Sequence, residues 1–93
     1  MKTYNVSYSP VAEKIIEKMD NSVKSRIKNW IDKYLVGCEN PRYKGRALTG
    51  NLAGYWRYRV GDYRIIAEIQ DEKVVILVIN VDKRNDIYKS NIL

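Results

Sequence analysis

Six consecutive residues, Val74-Val75-Ile76-Leu77-Val78-Ile79, carry no polar side chain. The run is far too short for a bilayer span, which needs about 18 to 20 apolar residues. Its β-branched content favours extended chain. An extended segment without a polar side has two faces to hide, so residues 73–81 read as a central strand with both faces buried. The partners of that strand must come from a chain of 93 residues, 45% of them hydrophobic. That is enough for one small domain, 1–93, with a thin core.

The remaining periodicities supply those partners. Residues 3–8 alternate around Tyr4, Val6 and Tyr8, the pattern of a first strand. Ser9-Pro10 is a helix start, with serine as N-cap and proline at the first helical position. A helix to about Met19 follows, with Val11, Ala12, Ile15, Ile16 and Met19 on one face. Asp20-Asn21-Ser22 breaks and recaps it, and Val23, Ile27, Trp30, Ile31, Tyr34 and Leu35 mark a second helix that ends at Gly37. Residues 38–51 read as a loop. Strands at 55–60 and 63–70 turn at Gly61-Asp62, and the second turns at Asp71-Glu72 into the apolar strand. A short helix or turn over 86–90 closes the chain. The order is β-α-α-β-β-β with a weak terminal α: an α+β fold with two helices on one face of a mainly antiparallel four-stranded sheet.

Composition removes whole classes of chemistry. The chain has no histidine and a single cysteine, Cys38. Ser-His-Asp and Cys-His catalysis, His-ligated metals, Cys-based zinc sites and internal disulfides are all excluded. The first residues turn polar before a signal-peptide core can form, so the expected location is cytoplasmic, with no membrane association, cofactor or metal.

The charge is uneven. Net charge is +6, and residues 42–64 hold six basic side chains (Arg42, Lys44, Arg46, Arg57, Arg59, Arg64) against one acidic, Asp62. The base changes type as well, from mostly lysine before residue 42 to mostly arginine after it. Arginine's planar fork suits phosphate, so a dense arginine segment points to a polyanion, nucleic acid above all; the alternative is a merely basic surface.

Alternation in the strand at 55–60 separates Tyr55, Arg57 and Arg59 from Trp56, Tyr58 and Val60. The second set is the core side. Two arginines then share the open face, and Arg64 joins them across the Gly61-Asp62 turn if the hairpin register is simple. Like charges at this spacing are disfavoured unless an anion binds. Arg84 and Tyr88, beyond the apolar strand, are placed to reach the same groove. Tyr43 and Tyr55 offer stacking surfaces for bases.

Residues 48–64 follow the pattern L-x-G-x-L-x-G-x-W-R-x-R-x-G-x-Y-R, and residues 81–88 follow V-x-K-R-x-x-x-Y. Together these resemble the RelE/ParE superfamily of toxin–antitoxin toxins, over essentially the whole chain. The resemblance implies an endoribonuclease that cuts messenger RNA in the decoding site of the 70S ribosome and is silenced by a RelB-like antitoxin. Operator DNA would be bound only through the antitoxin complex. It implies catalytic roles for Arg57, Arg59, Arg64, Arg84 and Tyr88, and the distribution of basic and aromatic residues adds Arg42, Lys44, Arg46, Lys83 and Tyr55 as expected RNA-binding residues. In that scheme Arg64, helped by Arg57, stabilises charge on the phosphate, Arg84 assists the leaving oxygen and Tyr88 orients or stacks the nucleotide.

The best-known RelE enzymes carry lysines where this chain has Arg57 and Arg59. Arginine stays protonated, so the general base is unassigned. The Glu/His pair of the YoeB-like branch is not matched: Arg46 stands about where its glutamate would be. The alternative on the same fold is a ParE-like inhibitor of DNA gyrase without nuclease activity.

Overall fold

The computed structural model describes residues 2–83. The element order is β1 (Asn5–Tyr8), α1 (Pro10–Glu17), α2 (Asn21–Tyr34), β2 (Arg46–Ala47), β3 (Trp56–Val60), β4 (Tyr63–Gln70) and β5 (Val75–Lys83), with a short 3-10 turn over Gly50–Leu52. The strands form one sheet in the order β1-β5-β4-β3-β2. The β1–β5 pair is parallel and the others are antiparallel. The α+β expectation holds, with a correction to the strand count. The fifth strand, β2, is cut from the segment expected to be a loop. The expected terminal helix at 86–90 lies outside the described residues.

Both helices lie on one face of the sheet, α1 over β5 and α2 over β3. The Ser9 side chain caps α1 by accepting from the Ala12 N–H at 3.1 Å, and Pro10 opens the helix at no hydrogen-bonding cost. In α2 the four-residue spacing of Ile27 and Ile31 seats both at 0% exposure against Tyr58, Ile65 and Val78. Truncating such a side chain to alanine costs about 2–5 kcal/mol. Gly37, at φ 77°, lets the chain leave α2, and its N–H donates to the Tyr4 carbonyl at 2.8 Å.

The apolar strand is interior, between β1 and β4, but its two faces are not equally covered. Ile76, Val78 and Val81 are buried on the helix side, while Val75, Leu77 and Ile79 are half-buried. It also begins later than expected, because Val74 adopts φ 56° and belongs to the turn. The ladder shifts between Ile66 and Ala67: Ile66 faces Asn80 and Ala67 faces Val78, which leaves Ile79 as the extra residue of a bulge. The Ser9 hydroxyl donates to the Ile79 carbonyl at 3.1 Å, so the bulge is tied to the start of α1. The bulge reverses the alternation of β5. Val81 thereby reaches the core, and Asn80 and Asp82 turn to the opposite face.

Candidate functional site

The face away from the helices is where the arginines gather. Residues directly opposed in an antiparallel pair point to the same side. Arg46 is opposite Arg57, Arg57 opposite Ile66, and Arg59 opposite Arg64. The simple hairpin register expected from Gly61-Asp62 is therefore the observed one, with Gly61 at φ 60° in the first central position of the two-residue loop. Four arginines from three strands share one face.

Their burial is graded. Arg59 is exposed and Arg57 half-buried. Arg64 is 6% exposed, the only buried charged residue among the described residues. Nε of Arg57 and both Nε and Nη2 of Arg64 are shielded from solvent. Asp82 faces Arg64 in the ladder, and its Oδ2 accepts from the Asn80 amide at 3.0 Å. The face is thus only partly open. Its guanidinium groups run from a buried one at Arg64, with Asp82 facing it, to a solvated one at Arg59, and the low-dielectric surroundings strengthen charge interactions at Arg64.

Beside this face lies a groove of about 310 Å³, lined by Tyr43, Lys44, Gly45, Arg46, Arg57 and Arg59. Four of the six lining residues are cationic and none is acidic. The wall is built on Tyr58, whose hydroxyl donates to the Pro41 carbonyl at 2.6 Å. Gly45 presses on the same ring: a Cβ there would lie 2.9 Å from Tyr58 Cε1. Lys44 Nζ stands 4.8 Å from the Tyr34 ring centroid and 5.6 Å from that of Tyr43, a cation between two aromatic faces.

The structure does not bring every sequence-derived candidate to this place. Arg42 is held elsewhere, by a bidentate contact with Asp71 at 2.7 and 3.1 Å and by its position 5.5 Å over Trp56, on the helix side of the sheet. Asp71 also accepts from the Tyr4 hydroxyl at 2.7 Å. The Arg42 guanidinium and then the Tyr4 hydroxyl hold the Asp71 carboxyl down to about 2. Lys83 lies opposite Tyr63, on the side away from the arginines, with Nζ 5.9 Å from that ring. Tyr55 is half-buried just before β3 and does not line the groove; the aromatic residue there is Tyr43. Arg84 and Tyr88 lie outside the described residues. Nothing in the local sequence marks Asn80 and Asp82 for this face, because the bulge that turns them there has no local signal. Among the described residues no group of His, Cys, Asp or Glu could hold a metal ion, and no helix is long and apolar enough to cross a membrane.

A cationic groove beside an arginine-bearing sheet face has the charge and geometry that suit a polyanion. Comparison with known proteins narrows the class. Residues 6–88 match the family described as the ParE toxin of the type II toxin–antitoxin system parDE. Toxin RelG of Mycobacterium tuberculosis (strain ATCC 25618 / H37Rv) is 30% identical over 88 residues, covering 92% of this chain and 97% of that protein. The mRNA interferase toxin RelE of Escherichia coli (strain K12) is 32% identical over 82 residues, covering 87% and 83%. Among solved structures, the toxin–antitoxin complex RelBE2 of M. tuberculosis matches with a TM-score of 0.81 at 26% identity over 90% of this chain and 94% of that one. The isolated E. coli RelE toxin matches with a TM-score of 0.70 at 27% identity, over 96% and 95%. The chain belongs to the RelE/ParE family and is a toxin of a type II toxin–antitoxin system.

Proposed function

We propose that this toxin is an endoribonuclease that cuts messenger RNA in the ribosomal A site. The observation that carries this reading is the ladder register that sets Arg59 opposite Arg64 and Arg46 opposite Arg57 on one face. The named activity of the RelE relative, an mRNA interferase, supports it.

In the proposed reaction the 2′-oxygen of one nucleotide attacks the adjacent phosphorus. The P–O5′ bond breaks, the 2′-hydroxyl proton passes to solvent and the departing 5′-oxygen takes one up, leaving a 2′,3′-cyclic phosphate and a 5′-hydroxyl. Negative charge grows on the non-bridging oxygens, and Arg64 with Arg57 meets it with preplaced donors in a partly desolvated setting. Arg59, more exposed, holds a neighbouring phosphate with Arg46 and Lys44. Arg84 is assigned to the departing 5′-oxygen and Tyr88 to orienting the nucleotide. The guanidinium groups supply the charge stabilisation themselves, so the toxin itself is expected to need no bound metal ion for the chemical step.

Two of the solved relatives, RelBE2 of M. tuberculosis and RelBE of E. coli, are toxin–antitoxin complexes, and a RelB-like antitoxin is the proposed silencing partner here. An acidic segment laid along the arginine face would neutralise it, with operator DNA reached only through that complex. A second reading, gyrase inhibition, is favoured by the matching family description, which names ParE. The two are separated by running a translated messenger and a gyrase supercoiling assay in parallel with the same purified protein. Cut messenger with unimpaired supercoiling supports the nuclease; intact messenger with blocked supercoiling overturns it.

A further inference from the structure

Tyr43 is the groove residue that charge chemistry does not use. The residue is 78% exposed, beside Lys44. The loop presenting it is well tied. Pro41 is bonded to buried Tyr58, Arg42 is clamped to Asp71, the Arg42 N–H donates to Asn40 Oδ1 at 3.1 Å, and Gly45 is pressed on the Tyr58 ring. Residues on both sides of Tyr43 are pinned while its ring is held out at the mouth of a cationic groove.

A flat ring held out next to several cations is the combination that single-stranded nucleic acid requires, because the cations track phosphates and the ring stacks a base. Presenting a two-torsion aromatic from a pinned loop keeps the entropy cost of stacking low. We infer that Tyr43 is the stacking platform for an unpaired RNA base, adjacent to the phosphates taken by Arg46, Arg57 and Arg59. Lys44 Nζ, 5.6 Å from the Tyr43 ring centroid, places a cation beside the base that would stack there. This assignment rests on the RNA reading of the groove proposed above.

The test measures binding of the full-length protein to a short 2′-O-methyl RNA, which cannot be cleaved, and to the same backbone with abasic positions. Wild type and Tyr43→Phe are expected to bind the base-bearing strand more tightly than the abasic one. Tyr43→Ala is expected to bind the base-bearing strand about 5- to 150-fold more weakly and to lose the discrimination. Equal discrimination by wild type and Tyr43→Ala overturns the assignment, as does no binding of either strand by wild type. Equal binding of both strands by wild type also overturns it and leaves Tyr43 to a protein contact such as the antitoxin. Cleavage of translated messenger by wild type is scored alongside. Cleavage without base discrimination removes the Tyr43 assignment alone, whereas discrimination without cleavage removes the nuclease reading and leaves Tyr43 in place.

Discussion

Arg59 and Arg64 stand directly opposite each other across the β3–β4 ladder. Directly opposed like charges weaken a strand pair, by about 0.2–1 kcal/mol. Arg59→Gln is therefore expected to gain that amount of stability in urea unfolding at low ionic strength. The gain should shrink in about 1 M salt, where charges are screened over a few ångströms. The same variant is expected to lose activity. That pair of results would set stability against function at this position, as where a site is kept at the expense of the fold.

Arg64 combines burial with a place on the arginine-bearing face, so under the proposed reaction its loss is expected to be felt in the chemical step. Arg64→Ala is expected to lower single-turnover cleavage of translated messenger by about 10²- to 10³-fold, the range for losing one preorganised donor. Arg64→Lys keeps a charge but not the planar fork and should fall between the two. Circular dichroism of each variant separates this effect from unfolding.

The Asp71 carboxyl is held down to about 2 by Arg42 and then by Tyr4. An acid whose pKa falls on folding stabilises the fold above its unfolded value, near 3.9 for aspartate, and that contribution is lost as pH falls towards 2. Asp71 and Arg42 are both substantially exposed, so the effect is small. Asp71→Asn is expected to lower Tm by at most a few degrees at pH 7. The difference from wild type should close between about pH 4 and pH 2, which thermal melts across that range will check.

Two changes under the groove should damage it through the fold. Tyr58→Phe removes the donor to the Pro41 carbonyl in a buried setting and is expected to cost about 1–3 kcal/mol. Gly45→Ala forces a Cβ to 2.9 Å from a fully buried ring and is expected to cost about 1–3 kcal/mol by overpacking. Chemical denaturation measures both. The residues touch, so the double variant should depart from additivity.

These particulars show what the chain discloses before it folds. The Ser9-Pro10 start, the Gly61-Asp62 turn, the bounds of β4 and the split of Arg57 and Arg59 from Tyr58 and Val60 are local. Periodicity and turn chemistry specify them within a few residues. The two-residue β2 is exposed and has no periodicity to read. Val74 reads as strand by composition but takes a left-handed conformation in the turn. The Ile79 bulge follows from how β5 must reconcile a buried Val81 with its neighbours, which only the assembled sheet decides. Arg42 looked like one more basic residue of a basic segment, yet Asp71, far away in sequence, claims it. In the candidate site, then, the sequence pattern located Arg57, Arg59 and Arg64. Long-range contacts decided which of the surrounding basic and aromatic residues stand with them.

The most direct test maps the 5′ ends of transcripts in cells that express the toxin, relative to the reading frame. New 5′-hydroxyl ends are expected within translated regions, repeating with the three-nucleotide phase of codons and absent when Arg64→Ala is expressed. Intact transcripts in growth-arrested cells, or ends scattered without regard to frame and unchanged by Arg64→Ala, would contradict it.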